Sequence, residues 1–416
     1  MPALLKPIEA DISVGHPVTA SPQRRILTMN RGSATLKSTL YEAGSRPRLL
    51  LSMAVDRAGV PGTRLKVADP SGTVLLDSPV ESEDSNASLE VMLGWMGEQG
   101  FLSGMAAAGH RLVQGGPRHR GPQRITPEFL AEMEQLLPLD PDHMPAAIRG
   151  IKFLAGKFPG LPQVACFDTA FHSPLPKVAR MYALPRRFYD GGILRYGFHG
   201  LSYEYVMREL HALDGKAADG RVIIAHLGSG ASMVAVKAGQ SIDTSMGFSP
   251  LEGLVMASRS GDVDPGLLVY LLKHQKMSAK EVDNLLNRES GLLGVSGTSG
   301  DMRLLLDNIQ QDVRAEEAFD LFCYRAKKYI GAYAAILGGL DLLVFTGGIG
   351  EHAPAVRQRI CDGLGFLDIR VEAQSNEANA VLISPAESRV KVRVIKTNED
   401  LMIVEHVLST LGWTDA

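Results

Sequence analysis

Three apolar runs, far apart in the chain, each end in a turn of small residues. Arg25 to Glu42 turns at Asn30–Gly32, Val222 to Ser232 (VIIAHLGSGAS) at its glycines, and Leu342 to Glu351 (LLVFTGGIGE) at Gly347–Gly348. Backbone N–H groups in a Gly-rich turn form an anion-binding concavity, because no Cβ blocks close approach. One such turn alone is an ordinary hairpin. Three with polar neighbours point towards the phosphates of a nucleotide. The pattern G-x-x-x-x-G-K-[ST] occurs nowhere, which excludes a P-loop. Gly348-Ile-Gly350-Glu-His-Ala353 fits G-x-G-x-x-A after a strand and raises a dinucleotide alternative, with Asp368 as the weak candidate for its acidic partner.

Helical patterns lie between these runs. Phe319, Phe322, Cys323, Ala326, Ile330, Tyr333, Ala334 and Leu337 recur at three- and four-residue steps and predict a helix from about Ala315 to Leu337. Pro127 suits the first turn of a helix through about Leu136. His110 to Val113 reads as a strand stopped by Gly115, Gly116 and Pro117, residues 116–127 as a mobile Pro/Gly/Arg loop, and 82–90 as a surface loop entering a helix. A last strand over Val390 to Ile395 leads through Thr397–Asn398–Glu399 into a closing helix. Strands and helices mix throughout, so the class is α/β or α+β.

Size and charge narrow the function. A chain of 416 residues predicts two or three domains. Lys+Arg 43 against Asp+Glu 46 leaves no basic footprint for nucleic acid or an anionic membrane. The stretch Tyr329 to Gly350 is broken by Asp341 and two Gly pairs, so it reads as helix then strand rather than a membrane span. Three cysteines (Cys166, Cys323, Cys361) at no metal-ligand spacing argue against a disulfide framework and suit a reducing cytoplasm. Residues 1–25 read as a loose N-terminal extension.

Single residues carry less on their own. Arg259, between two serines and before Gly261–Asp262, could face phosphate oxygens or simply sit on a surface turn. Asp262 and Asp264 suggest a calcium loop, but Lys273 stands where such a loop needs glutamate. His199 lies in a Gly-flanked turn that could face a cleft. Asp168 follows the apolar run Val164 to Phe167, either at an active-site strand end or capping the next helix.

Read together and in order, FDTAFH (167–172), RYGFHG (195–200), DTSMGFSPLEGL (243–254), SRSGDVDP (258–265), SGLLGVSGTSGDMR (290–303), FTGGIGE (345–351) and TNED (397–400) resemble the acetate kinase (acetokinase) family, over about Ile26 to Glu405. The resemblance implies an α/β fold of two related domains, of the acetate kinase, sugar kinase, Hsp70 and actin type, around a nucleotide cleft. It implies one domain over 26–168 plus about 396–416, a nucleotide-binding domain over 169–395, a homodimer, and the cytoplasm. The implied reaction is reversible transfer of the ATP γ-phosphoryl group to acetate, giving acetyl phosphate and ADP, with magnesium (manganese as a substitute) held at Asn30 and Glu399. Asp168, His199 and Arg259 match the catalytic positions. Arg111 matches the arginine that holds the carboxylate, and Val113, Phe198 and Pro250 the pocket for the methyl. On the nucleotide side stand Lys37, the phosphate loop His226, Leu227, Gly228, Ser229 and Gly230, and the adenosine contacts Asp301, Met302, Arg303, Gly348, Ile349, Gly350, Glu351 and His352. The family's N-A-G-S-S-S-L-K is here Asn30-Arg-Gly-Ser-Ala-Thr-Leu-Lys37, which is expected to place Arg31 beside the phosphates. Gln114, Tyr203, Ser229 and His352 also replace the usual residues. Alternatives are a propionate or butyrate kinase of the same family, or a nucleotide-binding regulatory protein with weak catalysis.

Overall fold

The computed structural model describes residues 24–31, 35–56, 63–80 and 86–413. Residues 1–23 of the expected N-terminal extension, the tip of the first hairpin (32–34) and residues 82–85 of the polar run 82–90 therefore fall outside the described residues.

Two sheets organise the chain. The first has eight strands in the order β5-β4-β3-β2-β1-β6-β8-β7, and the second five in the order β11-β10-β9-β12-β13. The first set is β1 Arg25–Arg31, β2 Thr35–Glu42, β3 Arg48–Asp56, β4 Arg64–Ala68, β5 Val74–Pro79, β6 Met105–Leu112, β7 Gln123–Arg124 and β8 Gln163–Phe167. The second is β9 Arg221–Leu227, β10 Ala231–Lys237, β11 Gln240–Thr244, β12 Leu342–Thr346 and β13 Lys391–Val394. In both, an antiparallel three-strand meander (β1-β2-β3, β9-β10-β11) is followed by two strands parallel to its first member (β6 and β8, β12 and β13). The repeated unit is thus a topology, which explains why no short sequence repeat marks it.

The central strand Leu342–Thr346, parallel to β9 and β13, is buried along its whole length: Leu343 and Phe345 pack with the helix Val313–Leu337, and Leu342 and Val344 with the helix Gly200–Asp214. The helix Val313–Leu337 buries its Phe319, Phe322, Ile330 and Tyr333 stripe against the second sheet, and Gly338, at φ 74°, ends it in the left-handed region. Cys166, Cys323 and Cys361 are buried free thiols. Among the described residues, no helix is long and apolar enough to cross a membrane.

The C-terminal helix, Glu399–Thr410, returns to the first sheet. Gly109 in β6 lets it lie flush: a Cβ there would stand 2.4 Å from Ile403 Cγ2 and 2.8 Å from Val407 Cγ2. This docking carries residues 397–400 to the ends of β1 and β6.

Three expectations need correction. Residues 116–127 are tied down rather than loose: Gln123–Arg124 pairs with β8, and buried His119 bonds Gln123 and packs against Phe129 and Phe167. The dinucleotide alternative fails because Asp368, expected to end a strand, sits in a left-handed turn bonded to Arg389. Arg31 does not stand beside the phosphates. Successive β-strand side chains point to opposite faces, so Arg31 lies on the face of β1 away from Asn30, buried near Gly150 of the helix Met144–Lys157.

Candidate active site

The parallel strands of both sheets end towards one cleft, and the residues at those ends build it. β6 delivers Arg111 and β8 delivers Asp168, whose N–H bonds Leu112 O. Arg111 donates from Nε and Nη2 to the two oxygens of Asp168, at 2.9 and 2.5 Å, and from Nη1 to Asn30 Oδ1 at 3.0 Å. Asn30 in turn donates to Glu399 Oε2 at 3.2 Å. One side of the cleft is therefore a fixed chain of alternating cation, amide and carboxylate. Burial alone would depress the Arg111 guanidinium, but the Asp168 and Glu399 carboxylates outweigh it and hold its pKa above the ordinary value.

Glu399 and Asp400 open the last helix. Burial pushes both carboxyls up, that of Asp400 to about 6, while Thr28 donates to Asp400 at 3.0 Å. Two desolvated carboxylates beside an amide oxygen form an all-oxygen donor set that a hard cation would suit. Among the described residues no group of three or more His, Cys, Asp or Glu side chains is placed to enclose a metal. Asp400 was not singled out from the sequence, because acidic residues in a first helical turn ordinarily serve the helix dipole.

The second sheet supplies the phosphate side. His199 has φ 59° and precedes the helix Gly200–Asp214, and Gly200 N–H bonds Asp168 O at 2.9 Å. A Cβ on Gly200 would stand 2.2 Å from that oxygen, so only glycine allows the turn to close against the end of β8. The His199 ring stacks on His226 at 4.3 Å, and its Nδ1 lies 2.8 Å from Ser232 Oγ, which also bonds Tyr203 Oη. Burial first, then His226, Arg111 and Arg259, lowers the pKa of His199 well below the usual histidine value. Burial likewise brings His226 to about 4. Both imidazoles are neutral at pH 7.

Arg259 meets His199 over the phosphate turn. A Cβ on Gly230 would stand 3.1 Å from Arg259 Nη2 and 3.4 Å from His199 Nε2, so the glycine is what lets both approach. Arg259 Nη1 donates to Pro250 O at 2.6 Å. Its segment is braced by Ala257 N–H on Ser229 O and by Gly291, whose missing Cβ leaves room for Met256 O.

A cavity of about 560 Å³ is lined by Asn30, Lys37, Arg111, His199, His226, Gly228, Ser229, Gly230, Gly348, Glu351, Glu399 and Asp400, among others. A second, of about 360 Å³, shares Gly228, Ser229 and Gly348 and adds Asp301, Met302, Arg303, Ile349 and His352. Most of the sequence-selected residues line these two cavities; Asp168 reaches the first through Arg111, Arg259 and Pro250 line a neighbouring cavity, and four others lie in packing. Leu227 and Gly350 are buried in backbone packing, and Val113 and Phe198 belong to the apolar core behind the site. None of the four lines either cavity. Glu351 faces the first cavity, but its Oε1 accepts from Gly347 N and Thr397 N at 3.0 Å each, tying the β12 turn to the segment before Glu399. Gln114 is fully buried, and its Oε1 accepts from Gly116 N. Ser232 and Tyr203 were missed as His199 partners, because β10 and the helix Gly200–Asp214 meet only in the folded chain.

Two α/β sheets of one topology, with glycine turns, two arginines and buried carboxylates at the strand ends, define a phosphotransferase of the architecture that acetate kinases share with sugar kinases, Hsp70 and actin. The acetokinase family model matches residues 25–405, and the chain belongs to that family, enzymes that transfer phosphate to a carboxylate. An acetate kinase from Rhodopseudomonas palustris is 45% identical over 388 residues, covering 92% of this chain and 97% of that one. The crystal structure of Porphyromonas gingivalis acetate kinase superposes with a TM-score of 0.85 at 38% identity, covering 93% of this chain and 100% of that one. A propionate kinase from Francisella tularensis gives 0.87 at 35% identity, covering 92% and 98%.

Proposed function

We propose that the chain transfers the γ-phosphoryl group of ATP to acetate, reversibly and with magnesium, giving acetyl phosphate and ADP. The observation that carries this reading is the convergence of His199 and Arg259 over Gly230, opposite an arginine clamped by Asp168 and Asn30. A hydrolase acting on neutral substrates would have no use for such a pair.

Acetate enters ionised at neutral pH and needs no general base. In this reading its carboxylate is drawn by Arg111, and one of its oxygens attacks the γ-phosphorus in line. The new O–P bond forms as the bond to the β–γ bridging oxygen breaks, leaving ADP. Phosphoryl transfer depends chiefly on positioning and charge neutralisation. Arg259 supplies positive charge. His199, being neutral, supplies a hydrogen bond from Nε2–H, with Nδ1 accepting from Ser232 O–H and Ser232 accepting from Tyr203, whose phenol burial keeps protonated. Asp168 holds Arg111 rather than moving a proton. Asn30 and Glu399 would hold magnesium, which neutralises phosphate charge when bound. Gly228, Ser229 and Gly230 would cradle the phosphates, with Lys37 beside them, and Asp301, Met302, Arg303, Gly348, Ile349 and His352 would bed the nucleoside.

Two lobes fit this division: 26–168 with about 396–416 on the acetate side, and 169–395 on the nucleotide side. A homodimer is supported by the helix Pro265–Lys273, whose Leu267, Val269, Tyr270 and Leu272 are all exposed. The net charge and the free thiols suit the cytoplasm. Propionate is the second reading, favoured by the likeness to the Francisella tularensis enzyme. Following ADP release with acetate, propionate and butyrate in turn tests both, and no carboxylate-dependent ADP would remove the proposal.

A further inference from the structure

A third cavity, of about 610 Å³, lies on the far side of Arg259. Its walls come from both halves of the molecule: Asp140, Asp142 and His143 precede the helix Met144–Lys157, while Pro250, Arg259 and Arg288 belong to the phosphate side. Asp142 already spans it with an ion pair to Arg288 at 3.2 Å. Asp140 is only 4% exposed. Its Oδ1 lies 2.8 Å from His143 Nδ1 and accepts weakly from His143 N–H at 3.4 Å, but its Oδ2 is fully buried and has no hydrogen-bond partner among the described residues.

A buried carboxylate oxygen without a donor is costly, more so than a neutral group. A donor that reaches it in another state of the cleft resolves the cost. The cations nearby differ in what they have free. Arg111 is already paired with a carboxylate, Asp168, and bonds Asn30 as well, keeping two N–H groups for substrate, and Arg288 is already paired with Asp142. Among the described residues Arg259 makes one side-chain hydrogen bond, to a neutral carbonyl, and a guanidinium carries five N–H donors. The Asp140 charge also acts on Arg259 more strongly than any other carboxylate does.

We propose that Asp140 is a positioning residue for Arg259: as the cleft closes on substrate, its unbonded Oδ2 takes the guanidinium and fixes the fork that faces the transferred phosphoryl group. Asp142 and Arg288 then form the outer half of the same latch. The inference rests on the carboxylate-kinase reading above. The plainer account of Asp140 is a local cap on the turn before Met144, which Asp140→Asn would preserve through its remaining oxygen.

The test is a double-mutant cycle of Asp140→Asn and Arg259→Ala, with kcat, both KM values and melting temperature for each protein. Misplacing a group that acts on the transition state costs up to about 100-fold. Asp140→Asn is therefore expected to lower kcat about 10- to 100-fold with both KM values within about threefold. In the Arg259→Ala background the same change should cost less than about twofold, since groups that act as a unit are not additive. An unchanged kcat in the single variant, or equal losses in both backgrounds, would overturn the proposal. Should Asp140→Asn fail to fold, Asp140→Glu carries the same cycle: a kcat loss that vanishes without Arg259 supports the latch, and an additive one rejects it. Wild-type protein forming no acyl phosphate would instead reject the underlying reading.

Discussion

Asn30 and Glu399, 369 positions apart in the chain, share a hydrogen bond of 3.2 Å. The contact exists because the C-terminal helix lies across β1 and β6, and it places the only acidic pair of that helix's first turn at the cleft. Glu399→Ala should raise the magnesium concentration for half-maximal activity about 10- to 100-fold, as losing a metal-site group typically does. A magnesium titration matching wild type would remove this end of the chain from the metal.

Arg111→Ala should raise the KM for acetate at least about 30-fold. Truncating one member of a buried, hydrogen-bonded charge pair costs about 2–5 kcal/mol, partly by leaving Asp168 unpaired. Arg111→Lys should recover little, because one ammonium cannot make both Asp168 bonds and the Asn30 bond together. Unaltered acetate kinetics in Arg111→Ala would contradict the assignment.

Arg259→Leu should lose about 10³–10⁵ in kcat, the range for an arginine acting on a transferring phosphoryl group. ATP binding, followed by calorimetry without acetate, should change far less, since the contact strengthens in the transition state. Parallel losses in affinity and kcat would make Arg259 a ground-state clamp.

Gly109→Val should destabilise by about 1–3 kcal/mol, the usual cost of forcing extra methyl groups into a packed interface. The branched side chain would collide with Ile403 and Val407 and lift the helix that carries Glu399. The melting temperature should fall and the magnesium half-saturation point rise together. A stability loss with an untouched magnesium titration would uncouple the two.

Asp214 ends the helix Gly200–Asp214 and binds Arg393 through two contacts of 2.6 Å and Lys391 at 3.2 Å. Burial pushes its carboxyl up, but those hydrogen bonds outweigh it and hold the pKa below the ordinary value. A depressed carboxylate stabilises the fold above its unfolded pKa of about 3.9 and loses that contribution as pH falls through the folded value. The stability gap between wild type and Asp214→Asn should therefore be constant above about pH 5 and close at lower pH. A gap independent of pH down to acid unfolding would contradict the ion-pair account.

Much of this site was readable before folding, for identifiable reasons. Arg25–Glu42, Val222–Ser232 and Leu342–Glu351 announce themselves because strands and glycine turns have local signatures. The helix Val313–Leu337 does so through its apolar period. Other features have no local signal. Arg31 leaves the cleft because of the pleat, although it neighbours Asn30 in the chain. Ser232 reaches His199 only across β10, and the repeated sheet topology is carried by pairing order rather than by residue type. Asp140 looks like an ordinary loop acid until the opposite wall of its cavity is known.

Phosphorus-31 NMR of the chain mixed with magnesium, ATP and acetate separates phosphoryl transfer to the carboxylate from hydrolysis. With acetate as the acceptor, an acyl phosphate resonance should grow in step with ADP, be absent without the carboxylate and be abolished by Arg259→Leu. ADP and inorganic phosphate accumulating equally with or without acetate, and no acyl phosphate, would contradict transfer to the carboxylate.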